Sequence, residues 1–133
     1  MNKKLRFLAM LVIMFAFGMT VFGQEQVVNS FPRVGTWSVI GRDSENWIGN
    51  MVIDEIKNNS FSGYFDWIGG SNYGGREYFR GEYEPRTRTV SIRGYRLAND
   101  RGIGLGNYEA FLVGDDFRLG RWTGGVWEAK WQK

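Results

Sequence analysis

From residue 35 onward, apolar and polar side chains trade places at every second position in short runs, and no long window carries the spacing of an amphipathic helix. Period two is the repeat of a strand that buries one face, so it leaves little room for anything but β-structure. Eight runs fit: 36–41, 49–56, 60–67, 76–83, 89–97, 106–113, 116–122 and 126–132. Turn-forming residues separate them, among them Asp43 to Asn46, Asn58-Asn59, the glycine-rich 69–75, Pro85-Arg86, Asn99 to Gly102, Gly114-Asp115 and Gly124-Gly125. Most of these links are too short to cross between parallel strands, which leaves consecutive hairpins. Eight strands in one small domain favour closure, because a barrel has no exposed edges. The expected fold class is therefore all-β, an eight-stranded antiparallel up-and-down β-barrel over 35–133.

Alternation also assigns faces. Phe61, Gly63, Phe65 and Trp67 share one side of the third run against Ser62, Tyr64 and Asp66. Phe79, Gly81 and Tyr83 oppose Tyr78, Arg80 and Glu82 in the fourth, and Val90, Ile92 and Gly94 oppose Ser91, Arg93 and Tyr95 in the fifth. The eighth run turns Trp127, Ala129 and Trp131 inward. The second, sixth and seventh runs carry no clean alternation and receive no assignment. Gly63, Gly81 and Gly94 then lie near one interior level. Either they let coiled strands bend round a narrow barrel, or their missing side chains leave a cavity for a ligand.

The first 23 residues are of another kind. Lys3, Lys4 and Arg6 precede an apolar run from Phe7 to Phe22 that falls short of the roughly 20 residues needed to span a bilayer. This is the pattern of a signal peptide, 1–23, removed on export. A secreted or periplasmic domain with an extended tail, 24–34, follows, with no membrane attachment after cleavage. The chain has 17 Lys and Arg against 14 Asp and Glu, and the three extra cations all sit in that leader, so the remainder is balanced. A neutral domain gives no basis for nucleic-acid binding.

Cysteine and histidine are both absent. Ser-His-Asp and Cys-His nucleophilic sites, His or Cys zinc sites and haem ligation by those residues are therefore excluded. No metal and no cofactor is expected. Asp66 and Glu82 could approach as an acid and base pair, but alternation turns both to solvent. The glycine-rich 69–75 has no following helix to complete a phosphate cradle and reads as a hairpin loop.

Gly35-Thr36-Trp37 at the start of the first run resembles the Gly-x-Trp opening of lipocalins and the Gly-Thr-Trp opening of streptavidin-like proteins. Ser60 to Tyr64 followed by Tyr78 to Tyr83 resembles the paired glycine-containing third and fourth strands of the avidin group. The resemblance implies an eight-stranded barrel with a ligand mouth at one end, and structural roles for Gly35 and Trp37, the latter packed beneath Arg121 or Lys130. It does not imply biotin. The positions where biotin-binding members place a Tyr and a Ser for the ureido oxygen hold Phe65 and Trp67 here, and apolar side chains cannot satisfy a buried ureido group.

Two functions from different classes follow. The first is a non-enzymatic binding protein for a small apolar or aromatic ligand held near Phe61, Phe65, Trp67, Phe79 and Tyr83. The second is a protein–protein module, such as a secreted hydrolase inhibitor, acting through the tail, the loops, or a face bearing Tyr78, Arg80, Arg93 and Tyr95. A hollow interior of about 300 Å³ or more would favour the first, and a filled one the second.

Overall fold

The computed structural model describes residues 32–70 and 72–133; the leader and most of the tail, 1–31, lie outside the described residues. Eight strands follow in order: β1 (Gly35–Arg42), β2 (Asn46–Lys57), β3 (Ser60–Gly69), β4 (Tyr73–Glu84), β5 (Thr89–Arg101), β6 (Asn107–Val113), β7 (Asp116–Trp122) and β8 (Gly125–Trp131). Each pairs antiparallel with the next, and β8 returns to β1 through pairs from Trp37↔Trp131 to Arg42↔Val126. The result is a closed up-and-down barrel, the architecture read from alternation and short links.

Three boundaries differ from that reading by three residues or more. Strand β2 begins at Asn46, because Arg42 already pairs with Asn46 across the 43–45 turn. Gly74 and Gly75 belong to β4, because Gly69 pairs with Tyr73 and only three residues are left between the two strands. Strand β5 runs on to Arg101 where turn residues suggested a stop, since Asn99 takes a left-handed φ of 51° inside the strand and Gly74 still pairs with Arg101. Beyond Arg93, β5 pairs only with β4, so this hairpin outruns β6. The 102–106 segment then doubles back, and the Gly94 N–H donates to the Gly106 carbonyl at 2.8 Å.

The interior faces of β3, β4, β5 and β8 are those that alternation assigns. The unassigned strands contribute Met51 and Ile53 from β2, Tyr108, Ala110 and Leu112 from β6, and Phe117 from β7. Register shifts between Ile53 and Glu55, and between Phe117 and Gly120, break the period of β2 and β7. Strand β6 alternates strictly, and its outward Phe111 and Val113 are what hide that in the sequence. In β7 the shift leaves Leu119 at φ 53° and 78% exposed.

The strand glycines neither stay empty nor merely bend the sheet. Trp47 faces Gly69, Phe61 faces Gly81, Trp122 faces Gly125 and Trp127 faces Gly120 across directly paired strands. In each case the ring occupies the space a Cβ would need. Gly94 houses the Glu77 carboxylate in the same way, and Gly63 admits the Val52 carbonyl. These glycines are sockets for a neighbour's side chain or backbone, which packs large rings flat on the wall.

Candidate functional site

Among the described residues the one buried charged side chain is Glu77, fully enclosed on the interior face of β4. It stands two positions before Phe79, so the sheet's own period carries it inward. Three donors converge on it. Trp67 Nε1 and Tyr108 Oη reach Oε1 at 3.2 and 2.6 Å, and the Gly106 amide reaches Oε2 at 2.7 Å. Burial pushes its carboxyl above the usual range, while the bonds from Tyr108, Gly106 and Trp67 pull the other way. Burial, with the neighbouring Glu77 carboxyl, likewise raises the Tyr108 phenol. Each donor comes from a different strand or loop, so Glu77 ties β3, β6 and the 102–106 segment to β4.

Glu77 divides the barrel. On the side of the 58–59, 85–88 and 114–115 turns the interior is filled. Phe65 and Phe79 are fully buried with centroids 4.9 Å apart, and Phe61 and Tyr83 cover them at the end. On the other side a pocket of about 220 Å³ opens between the β1–β2 turn, the 102–106 segment and the β7–β8 turn. Trp47, Trp67, Tyr108 and Trp122 wall it, with Ile103 and Asp43 at its rim. Trp67 and Tyr108 run nearly parallel, at 21°, as one wall. Trp47 stands at 78° to Trp67, and Trp122 at 83° and 86° to Trp67 and Tyr108.

Of the five residues expected around a ligand, Trp67 alone lines this pocket. Phe61, Phe65, Phe79 and Tyr83 are brought together as packing. At 220 Å³ the pocket falls short of the 300 Å³ set for a hollow interior, so that criterion favours the surface reading. The space that remains suits a compact group and not a drug-sized molecule.

Tyr78, Arg80, Arg93 and Tyr95 stand outward as expected. Arg80 lies 4.9 Å over the Tyr95 ring and Arg96 4.1 Å over Tyr78. Arg76 continues the row, 3.8 Å over Tyr64 and paired to Asp66 at 2.8 Å. Among the described residues neither Arg80 nor Arg93 forms an ion pair with Glu82, because ring stacking takes Arg80 and Arg80 is paired with Arg93 across the strands. Arg80, Arg93 and Tyr95 edge a groove of about 960 Å³ that also reaches Phe61 and Tyr83. A second groove, of about 1040 Å³, meets it at Thr89, Ser91 and Glu109 and runs past Ile40, Ile48, Phe111, Leu119 and Val126.

Gly35 and Trp37 hold the filled end. The Trp131 ring takes the space beside Gly35 and meets Trp37 edge-on at 4.8 Å, and Trp37 Nε1 donates to the Asp115 carbonyl at 2.7 Å. The cation at this end is Arg33, 3.9 Å over Trp131 and 2.6 Å from Asp115, in the place where Arg121 or Lys130 was expected over Trp37.

Sequence reasoning missed Glu77, Trp47, Tyr108 and Trp122. Extending the inward set of β4 by one step would have reached Glu77. Trp47 and Trp122 are not marked, because β2 and β7 are irregular and a register cannot be counted through a bulge; Tyr108 is on the regular β6, whose outward Phe111 and Val113 blur its faces. Comparison with protein-family models, curated proteins and solved structures finds no match for the chain.

Proposed function

We propose that the exported chain is a non-enzymatic binding protein that seats a small apolar or aromatic group at the barrel mouth. One observation carries the reading: the interior is filled below Glu77 and open above it, and the opening is walled by four aromatic rings. Concave, largely apolar sites with a few fixed polar groups are where small ligands bind. Glu77 supports the non-enzymatic part, since its oxygens already accept three hydrogen bonds and the mouth holds Asp43 as its one other carboxylate. The Gly35-Thr36-Trp37 opening of β1 and the closed eight-strand order support a calycin-type assignment.

The test is a calorimetric titration of the mature protein with indole. Saturable heat that Trp122→Leu abolishes and Tyr95→Leu leaves intact is expected. Equal loss in both variants, or no saturable heat in the wild type, overturns the reading.

A protein–protein role has its own support in the 1040 Å³ groove. Leu119 stands 78% exposed there at φ 53°, beside Ile40, Ile48 and Val126, each more than half exposed. Exposed apolar patches of this sort mark interaction surfaces. Pull-down from the organism's own secretion with wild type and Leu119→Asp separates this role from the first, the variant losing a protein partner while retaining indole binding.

A further inference from the structure

We infer that the mouth pocket is selective for a cationic ammonium headgroup, quaternary or methylated, over neutral groups of the same shape. The inference rests on the mouth reading above and names its ligand class.

Shape gives the first argument. Parallel rings set apart form a slot that takes a flat molecule. Here Trp67 and Tyr108 form one wall, and Trp47 and Trp122 stand nearly perpendicular to it, at 78° to 86°. Such a corner surrounds a compact, rounded group, and the 220 Å³ of space matches a small headgroup. Ring faces attract cations through their quadrupole, and tryptophan does so best.

Hydrogen-bond accounting gives the second. Trp47 Nε1 is spent on Asp43 Oδ1 at 2.9 Å, and Trp67 Nε1 and Tyr108 Oη are spent on Glu77. The Gly106 amide is likewise taken. Trp122 Nε1 lies against Gly125, and with the Thr123 hydroxyl and the 103–105 backbone it makes up the polar part of the lining. The ring faces themselves offer a ligand π-surface and no donors.

Charge gives the third. Asp43 is the one charged side chain among the lining residues. Its Oδ1 holds Trp47 and the Glu45 amide, while Oδ2 takes no hydrogen bond among the described residues. A carboxylate oxygen at the rim of an aromatic corner completes the partner set of an ammonium ion.

The experiment is paired calorimetric titration of the mature protein with choline and with its neutral isostere 3,3-dimethylbutan-1-ol, and with indole as the control for the mouth itself. Choline is expected to bind about tenfold more tightly than the isostere. Asp43→Asn keeps the Oδ1 acceptor that holds the turn, and it should weaken choline several-fold more than it weakens the isostere or indole. Equal affinity for choline and isostere overturns the inference, as does indole binding without choline binding; in both cases the mouth reading stands. Failure of all three probes overturns both.

Discussion

Replacing Glu77 with Gln tests whether the carboxylate is the tie that organises the mouth. The two side chains match in shape, so packing is unchanged and the difference lies in hydrogen bonding. Glu77 accepts from Trp67, Tyr108 and Gly106. An amide with its nitrogen toward Gly106 orphans that N–H, and one turned the other way orphans Trp67 Nε1 while Tyr108 reverses to accept. Either orientation leaves one buried donor unpaired, a cost of about 1–3 kcal/mol. Glu77→Ala orphans all three, roughly 3–9 kcal/mol, against a total of about 5–15 kcal/mol for a domain. The Gln variant should therefore fold with a lowered urea midpoint, and the Ala variant should be largely unfolded.

The pH dependence has a defined sign. Burial holds the native carboxyl pKa above its unfolded value of about 4.3. A raised acid contributes stability that is full below the unfolded pKa and declines as pH rises through the native one. The stability of wild type relative to Glu77→Gln should therefore shrink as pH is raised from 4 toward neutrality. Urea unfolding followed by tryptophan fluorescence at several pH values measures it, and other titrating groups cancel in the difference. A Gln variant within 0.5 kcal/mol of wild type at every pH would refute the accounting.

Two further substitutions follow from the same geometry. Gly94→Ala puts a methyl where the Glu77 carboxylate lies, so it should destabilise by about 1–3 kcal/mol; combined with Glu77→Gln in a double-mutant cycle it should cost clearly less than the sum, and additivity would show that the two sites do not meet. Leu119→Asn relieves a left-handed φ of 53° on a side chain that is 78% exposed, so the midpoint of thermal unfolding should rise by about 4–8 °C for roughly 1 kcal/mol gained, and a fall would mean that the leucine packs on something.

The fold was legible because its signal is local. A strand such as β3, with Phe61, Phe65 and Trp67 buried against half-exposed Ser62, Tyr64 and Asp66, states its own face, and short turns leave only sequential pairing. The site was legible only where such signal reached. Trp67 was found because β3 is regular. Glu77 was passed over because a lone carboxylate next to arginines reads as solvated surface, although the run 76–83 contains it and its parity with Phe79 turns it inward. Gly69 to Gly75 looked like a flexible loop because glycine serves both as a turn and as a socket. Composition does not tell which, and the answer lies in the facing ring of Trp47, 22 residues earlier than Gly69 and adjacent only after pairing.

That ambiguity bears on how the mouth works. A ring standing free at a barrel rim would have to be ordered by its ligand, at about 0.5–1.5 kcal/mol per side chain. Here Trp47 lies against Gly69, and Trp122 lies against Gly41 and Gly125, so two side walls are fixed by the sheet before anything binds. The Asp43 bond to Trp47 Nε1 and the Glu77 bonds to Trp67 and Tyr108 fix the remaining faces. A chain with no disulfide and a pocket of 220 Å³ has little contact area to offer a ligand. Its affinity then depends on walls that need no reordering, and the glycine sockets and the buried carboxylate supply that rigidity.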